Sequence, residues 1–253
     1  MKYFLIALKF LTNLPVAKNL EFQEEILAKS VKYFPLAGIL IGLILAGINF
    51  LFSFIFPPIV VSAIILISLI WITRGFHLDG FMDTIDGLFG GSDKNERLSI
   101  MKDPQVGSFG VVAAVSLLLL KFTLILELSG QKIFPFILIL MPALSRWSMV
   151  LAMPFYSYPR EKGTGSFTKF VKKKDALLAT IIIFVFVVGL LKLEGLILLF
   201  FAFIFTLLIT KLISGKIGGM TGDTYGALNE IIEVIILAAA YLIMSGNLNL
   251  YAR

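Results

Sequence analysis

Between Tyr33 and Thr73 the chain carries no charged residue, a run too long for one bilayer crossing. The Pro57-Pro58 pair inside it marks a turn. Residues 35–56 and 59–73 are therefore expected to be two spans. Later apolar runs predict spans over 109–128, 133–153, 176–191, 196–213 and 228–244. Asp175 is the expected N-cap of the fifth span, and Pro104 is expected to open the helix leading into the third. Ahead of them all, Lys2, Lys9 and Asn13 share one stripe of a helix, with Phe4, Leu8 and Leu11 opposite. That pattern predicts an amphipathic helix in the headgroup region. The fold class expected is all-α, a polytopic membrane bundle of about seven transmembrane helices.

Composition agrees. Of the 253 residues, 58% are hydrophobic and 15% charged, against about 25% charged in soluble domains. One integral membrane domain, residues 1–253, accounts for the length. There is no cysteine, so disulfide and thiolate chemistry are excluded. If the spans alternate, 17 of the 22 Lys and Arg residues fall on the side of the amino terminus. By the positive-inside rule that side is expected to be cytoplasmic.

The candidate chemistry gathers on the same side. In the stretch RGFHLDGFMDTIDGLFGG, residues 74–91, Asp79, Asp83 and Asp86 are spaced i, i+4, i+7. A helix puts them within about 60° of one another, on one face. Three acids so close repel unless a cation lies among them. Oxygen ligands alone favour a hard ion such as Mg²⁺ or Mn²⁺. His77 points off that face and reads as structural. Lys102 and Asp103 follow, as a phosphate contact and proton acceptor or as part of an ordinary surface helix; Gly107 and Gly110 would admit a bulky ligand.

Arg146 lies two turns inside an apolar span, where an unpartnered arginine is costly, and it counts as functional by default. Lys121 and Glu127 raise the same question, with an intramembrane ion pair as one answer. Arg160 and Lys162, beside Gly163 and Gly165, suit a phosphate pocket. Lys172 to Lys174 suit anionic lipid. Last, Gly218, Gly219, Gly222 and Gly226 surround Asp223, with Glu230 and Glu233 beyond. Asp223 and Glu230 would share a face if the helix began early. Acids, cations and glycine-rich approaches on one membrane face fit metal-assisted phosphoryl transfer.

Six pieces carry a resemblance: FLTNLPV, GFHLDGFMDTIDGLFGG, ERLSIMKDPQVGSFG, SRW, YPREKGTG and GGMTGDTYGALNEIIE. Through them the chain resembles cobalamin synthase, the adenosylcobinamide-GDP ribazoletransferase family, in the family's order and over nearly the whole length. The resemblance implies a Mg²⁺-dependent enzyme of the cytoplasmic (inner) membrane. It would join α-ribazole, or its 5′-phosphate, to adenosylcobinamide-GDP and release GMP. It further implies Asp79, Asp83, Asp86 and Asp223 at the metal, with Asp83 and Asp86 catalytic and Asp103 as base. Lys102, Arg146, Arg160, Lys162, Gly219 and Gly222 would contact substrate. The partners expected are those substrates and the bilayer, with an oligomer allowed and no nucleic acid. Asp83-x-x-Asp86-Gly87 is also faintly similar to the CDP-alcohol phosphotransferases of lipid headgroups, although their Ala-Arg pair and later Asp repeat are missing. A cation transporter is the rival of another class.

Overall fold

A computed structural model describes residues 1–16 and 23–245. Ten α-helices follow in order: α1 (Lys2–Leu11), α2 (Glu24–Ser30), α3 (Phe34–Phe52), α4 (Pro58–Ile72), α5 (Phe76–Gly90), α6 (Lys94–Ile100), α7 (Ser108–Leu128), α8 (Phe134–Ala152), α9 (Lys173–Ile217) and α10 (Gly222–Met244). Among the described residues there is no strand. Five helical stretches are long and apolar enough to cross a membrane, and a sixth forms if α4 and α5 count as one bent span.

The 45-residue α9 is two helices in space. Lys192 has a non-helical backbone, φ 45° and ψ −116°. A Cβ on Gly195 would lie 2.5 Å from the carbonyl oxygen of Val187. Eight residues of straight helix separate two such points by about 12 Å, so the chain folds back at Lys192. Residues 173–191 and 193–217 are thus the expected fifth and sixth spans.

The centre of the bundle is α8, which is buried around nearly its whole circumference. Helix α3 packs against it through small residues: a Cβ on Gly42 would meet the Leu138 carbonyl oxygen at 2.5 Å. Pro142 removes the backbone hydrogen bond that this same carbonyl would otherwise accept. The apolar side of α1 is likewise covered by protein, with Ile6, Ala7, Leu8 and Leu11 buried.

Three boundaries differ from expectation. The N-cap of α9 is Lys172, three residues ahead of Asp175, whose carboxylate accepts the Lys172 N–H at 3.1 Å as an N3 partner. Pro104 lies in the turn before α7, which starts only at Ser108. Helix α10 begins at Gly222, where the Thr221 hydroxyl accepts the Thr224 N–H at 3.2 Å. Asp223 and Glu230 therefore do lie on one helix.

Between α4 and α5 the axis turns by 85°. Arg74 and Gly75 make the turn, both in the left-handed region, with φ 57° and 66°. For arginine this backbone costs about 1 kcal/mol or more, and tertiary bonds offset it. The Arg74 guanidinium donates to the Phe10 carbonyl at 3.2 Å, and the Asn13 amide donates to the Trp71 carbonyl at 2.7 Å. The amino-terminal segment thus braces the corner from which the acidic helix departs.

Candidate active site

Helix α5 crosses the first turn of α10 at backbone contact. A Cβ on Gly80 would fall 2.8 Å from the Asp223 carbonyl oxygen, and one on Gly226 would fall 3.1 Å from that of His77. Glycine at both positions lets the helices approach so closely. As a result Asp223 joins the face of α5 that carries Asp79 and Asp83. Asp83 has Asp79, Asp223 and Asp86 as like-charged neighbours and Arg160 as an opposite one.

Arg160 reaches this group from the loop between α8 and α9, its guanidinium donating to the Asp223 carboxylate at 2.8 Å. That loop is seated on the entry to α10 by further glycine contacts. A Cβ on Gly165 would lie 2.6 Å from the Gly222 nitrogen, and one on Gly222 would lie 2.8 Å from the Thr164 hydroxyl. Gly219 sits against Ser157, whose carbonyl accepts the Met220 N–H at 3.0 Å. The two glycine-rich stretches seen in sequence are therefore halves of one contact. Among the described residues, Arg160 Nε and the nitrogen not facing Asp223 are buried without a hydrogen-bond partner, which leaves donors for an anion.

Asp86 is placed differently from its neighbours. One of its oxygens accepts the Gly107 N–H at 2.9 Å and the other the Gly110 N–H at 2.8 Å. These are the N-cap and third residue of α7, so the carboxylate caps that helix from outside. A Cβ at Gly107 or Gly110 would run into the carboxylate. Both glycines make room for this cap, not for a ligand as expected from sequence.

The remaining candidates are scattered. Lys102 and Asp103 are exposed in the turn before α7, where Asp103 accepts the Gln105 N–H at 2.9 Å. Lys162 is exposed on the Arg160 loop. Arg97 ties α6 to the turn before it and to the end of α9, donating to the Gly91, Ser92 and Lys216 carbonyls. Asp93 caps the start of α6, and the Glu96 and Asn95 N–H groups hold its carboxyl below the usual range.

Arg146 is fully buried on α8 and pairs with Glu233 of α10. Lys121 of α7 lies 2.6 Å from Glu230 and 2.7 Å from Glu233, while His77 Nδ1 lies 3.4 Å from the Arg146 guanidinium. Two cations and two anions thus balance inside the bundle. This arrangement explains Arg146 as the member of an ion network. The partners of Lys121 are on α10, and His77 is buried beside Arg146. The sequence allowed an intramembrane ion pair without naming these partners, although two bases and two acids of matching charge in three apolar helices were its visible signal.

The donor chemistry of Asp79, Asp83 and Asp223 suits a hard divalent ion. With Arg160 the group carries a formal charge of −2, which one such ion balances. Among the described residues no three or more Asp, Glu or His side chains are placed closely enough to hold a metal ion on their own. An open group of acids fits an ion that also binds substrate phosphate.

The family model of cobalamin-5-phosphate synthase matches residues 3–241. A curated relative from Desulforamulus reducens, named adenosylcobinamide-GDP ribazoletransferase, is 41% identical over 95% of each chain. Relatives of the same name are 34% identical in Desulfitobacterium hafniense, over 95% of this chain and 97% of the relative, and 35% in Alkaliphilus oremlandii, over 97% and 99%. No solved structure matches. This helical membrane protein belongs to the cobalamin-5-phosphate synthase family.

Proposed function

We propose that the chain assembles the nucleotide loop of cobalamin by joining α-ribazole, or its 5′-phosphate, to adenosylcobinamide-GDP with release of GMP. The relatives' shared name supports the substrates. The observation that carries the chemistry is the meeting of Asp79, Asp83 and Asp223 with Arg160 at one end of the bundle.

In this reading the ribazole 3′-hydroxyl attacks the phosphorus on the cobinamide arm. The new P–O bond forms as the bond to the GMP oxygen breaks, and the hydroxyl proton leaves to a base. Asp79, Asp83 and Asp223 would hold Mg²⁺, which supplies charge compensation for the diphosphate and its leaving group. Arg160 orients Asp223 through one nitrogen and offers its free donors to the phosphate oxygens. Asp86 acts at one remove: by capping α7 it ties that helix to α5 one turn beyond Asp83. The ion network beneath sets the depth of α10 against α7 and α8, and hence where Asp223 stands. Asp103 remains the candidate base. Lys102 and Lys162 are free to meet phosphate from the surface. The skew of basic residues supports a cytoplasmic site on the inner membrane.

The test is GMP release by the full chain in detergent, given adenosylcobinamide-GDP, α-ribazole 5′-phosphate and Mg²⁺. Release is expected, to be abolished by EDTA and restored by Mg²⁺. Asp83→Asn is expected to abolish it while membrane expression stays normal. Full turnover by that variant would remove Asp83 from the site. No GMP from the wild type would refute the reading.

A further inference from the structure

Beside the acidic group runs a cleft that none of the chemistry above uses. Its volume is about 310 Å³, and its lining includes Phe10, Phe76, Phe167, Glu24, Ser166 and Arg74. The three rings are a single aromatic cluster. Phe10 meets Phe76 edge-on at 5.6 Å and Phe167 edge-on at 5.4 Å. Opposite them is a polar wall, where the Ser166 hydroxyl donates to the Glu24 carboxylate. Arg74 stands at the rim. One of its nitrogens is held by backbone carbonyls, and the guanidinium forms no ion pair among the described residues.

Arg74 and Phe76 also line the adjoining hollow, which ends at Asp79. A groove therefore leads from the aromatic cleft past Arg74, which has no acid partner among the described residues, to the first acid of the site. The volume lies at the low end of small-ligand sites. It suits one nucleoside and is too small for a corrinoid macrocycle. Aromatic faces stack heteroaromatic bases, a carboxylate and a hydroxyl suit a ribose or ring nitrogen, and a guanidinium suits a phosphate.

We propose that this cleft binds the nucleoside substrate: the heteroaromatic base of the ribazole against Phe10, Phe76 and Phe167, and its 5′-phosphate at Arg74. The sugar then lies in the groove with its 3′-hydroxyl toward Asp79. The proposal rests on the transferase reading and deepens it. It assigns the amino-terminal segment, which braces the α4–α5 corner, a second task as one wall of a substrate site.

The experiment is steady-state kinetics on the full chain with Mg²⁺, varying each substrate at saturation of the other. Phe10→Ala is expected to raise the KM for α-ribazole 5′-phosphate about tenfold, with the KM for adenosylcobinamide-GDP held within about twofold. The exposed Arg74→Gln is expected to raise the KM for the phosphorylated nucleoside about tenfold more than it raises the KM for unphosphorylated α-ribazole. A third measurement needs no variant: benzimidazole riboside is expected to inhibit the wild type competitively against ribazole and not against the corrinoid. If wild-type turnover is normal but the ribazole KM is unmoved in both variants, the cleft assignment fails and the transferase reading stands. Inhibition competitive with the corrinoid would also overturn it. Absence of wild-type GMP release would overturn both.

Discussion

Replacing Asp86 by asparagine separates a helix cap from a metal ligand. In the wild type both carboxylate oxygens are used, at 2.9 Å by Gly107 N–H and at 2.8 Å by Gly110 N–H. Asparagine keeps one acceptor and turns an N–H₂ toward the other amide, so a donor faces a donor. Loss of one charge-assisted hydrogen bond costs about 1.5–3 kcal/mol, and the lost charge at the start of α7 adds about 0.5 kcal/mol. A total of about 2–3.5 kcal/mol corresponds to a Tm lower by roughly 4–14 °C for a chain of this size. The assay is thermal unfolding of wild type and Asp86→Asn in the same detergent, with Mg²⁺ and with EDTA. The drop is expected to be the same in both buffers. Activity measured well below the lowered Tm is expected to keep its Mg²⁺ requirement near the wild-type concentration. An unchanged Tm together with a Mg²⁺ requirement raised tenfold or more would show that the carboxylate binds the ion, and the capping argument would be wrong.

Glu233→Gln strands part of the charge of Lys121 and Arg146 in the bundle. It is expected to cost about 3–5 kcal/mol, seen as a lower Tm, while Glu233→Gln with Lys121→Met recovers part of that loss. Gly80→Ala places a methyl group 2.8 Å from the Asp223 carbonyl oxygen. It is expected to depress kcat strongly by shifting Asp223 from Asp79 and Asp83, and wild-type kcat would deny that this contact positions the site. Because the chain has no cysteine, Lys162→Cys and Lys132→Cys can be labelled singly with an impermeant maleimide. In right-side-out vesicles only the Lys132→Cys variant is expected to take the label, and the reverse result would invert the proposed topology.

How far the sequence could be read depends on the range of the forces involved. The spans follow from hydropathy, which is local. Each of the seven expected runs is largely helix, the first overshooting α3 by residues 53–56, and Lys192 divides the long one where its charge had interrupted the apolar pattern. The start of α7 was less legible, because its N–H groups are satisfied from elsewhere in the chain. Asp86 decides where α7 begins, from another helix. Helical phase put the three acids on one face, and for Asp79 and Asp83 that face is shared with Asp223. Phase alone could not reveal that Asp86, near the helix end, meets an amide pair. Arg146 was legible as a buried charge needing a partner. Which acid supplied it depended on how deep α10 sits.

The crossing of α5 and α10 has a consequence for synthesis. Asp79 and Asp223 come from early and late parts of the chain, and Gly80 rests on backbone that the ribosome makes near the end. A nascent protein with α1 to α9 already in the bilayer would still lack one wall of the acidic group. The acidic group is therefore complete only once α10 has joined α5.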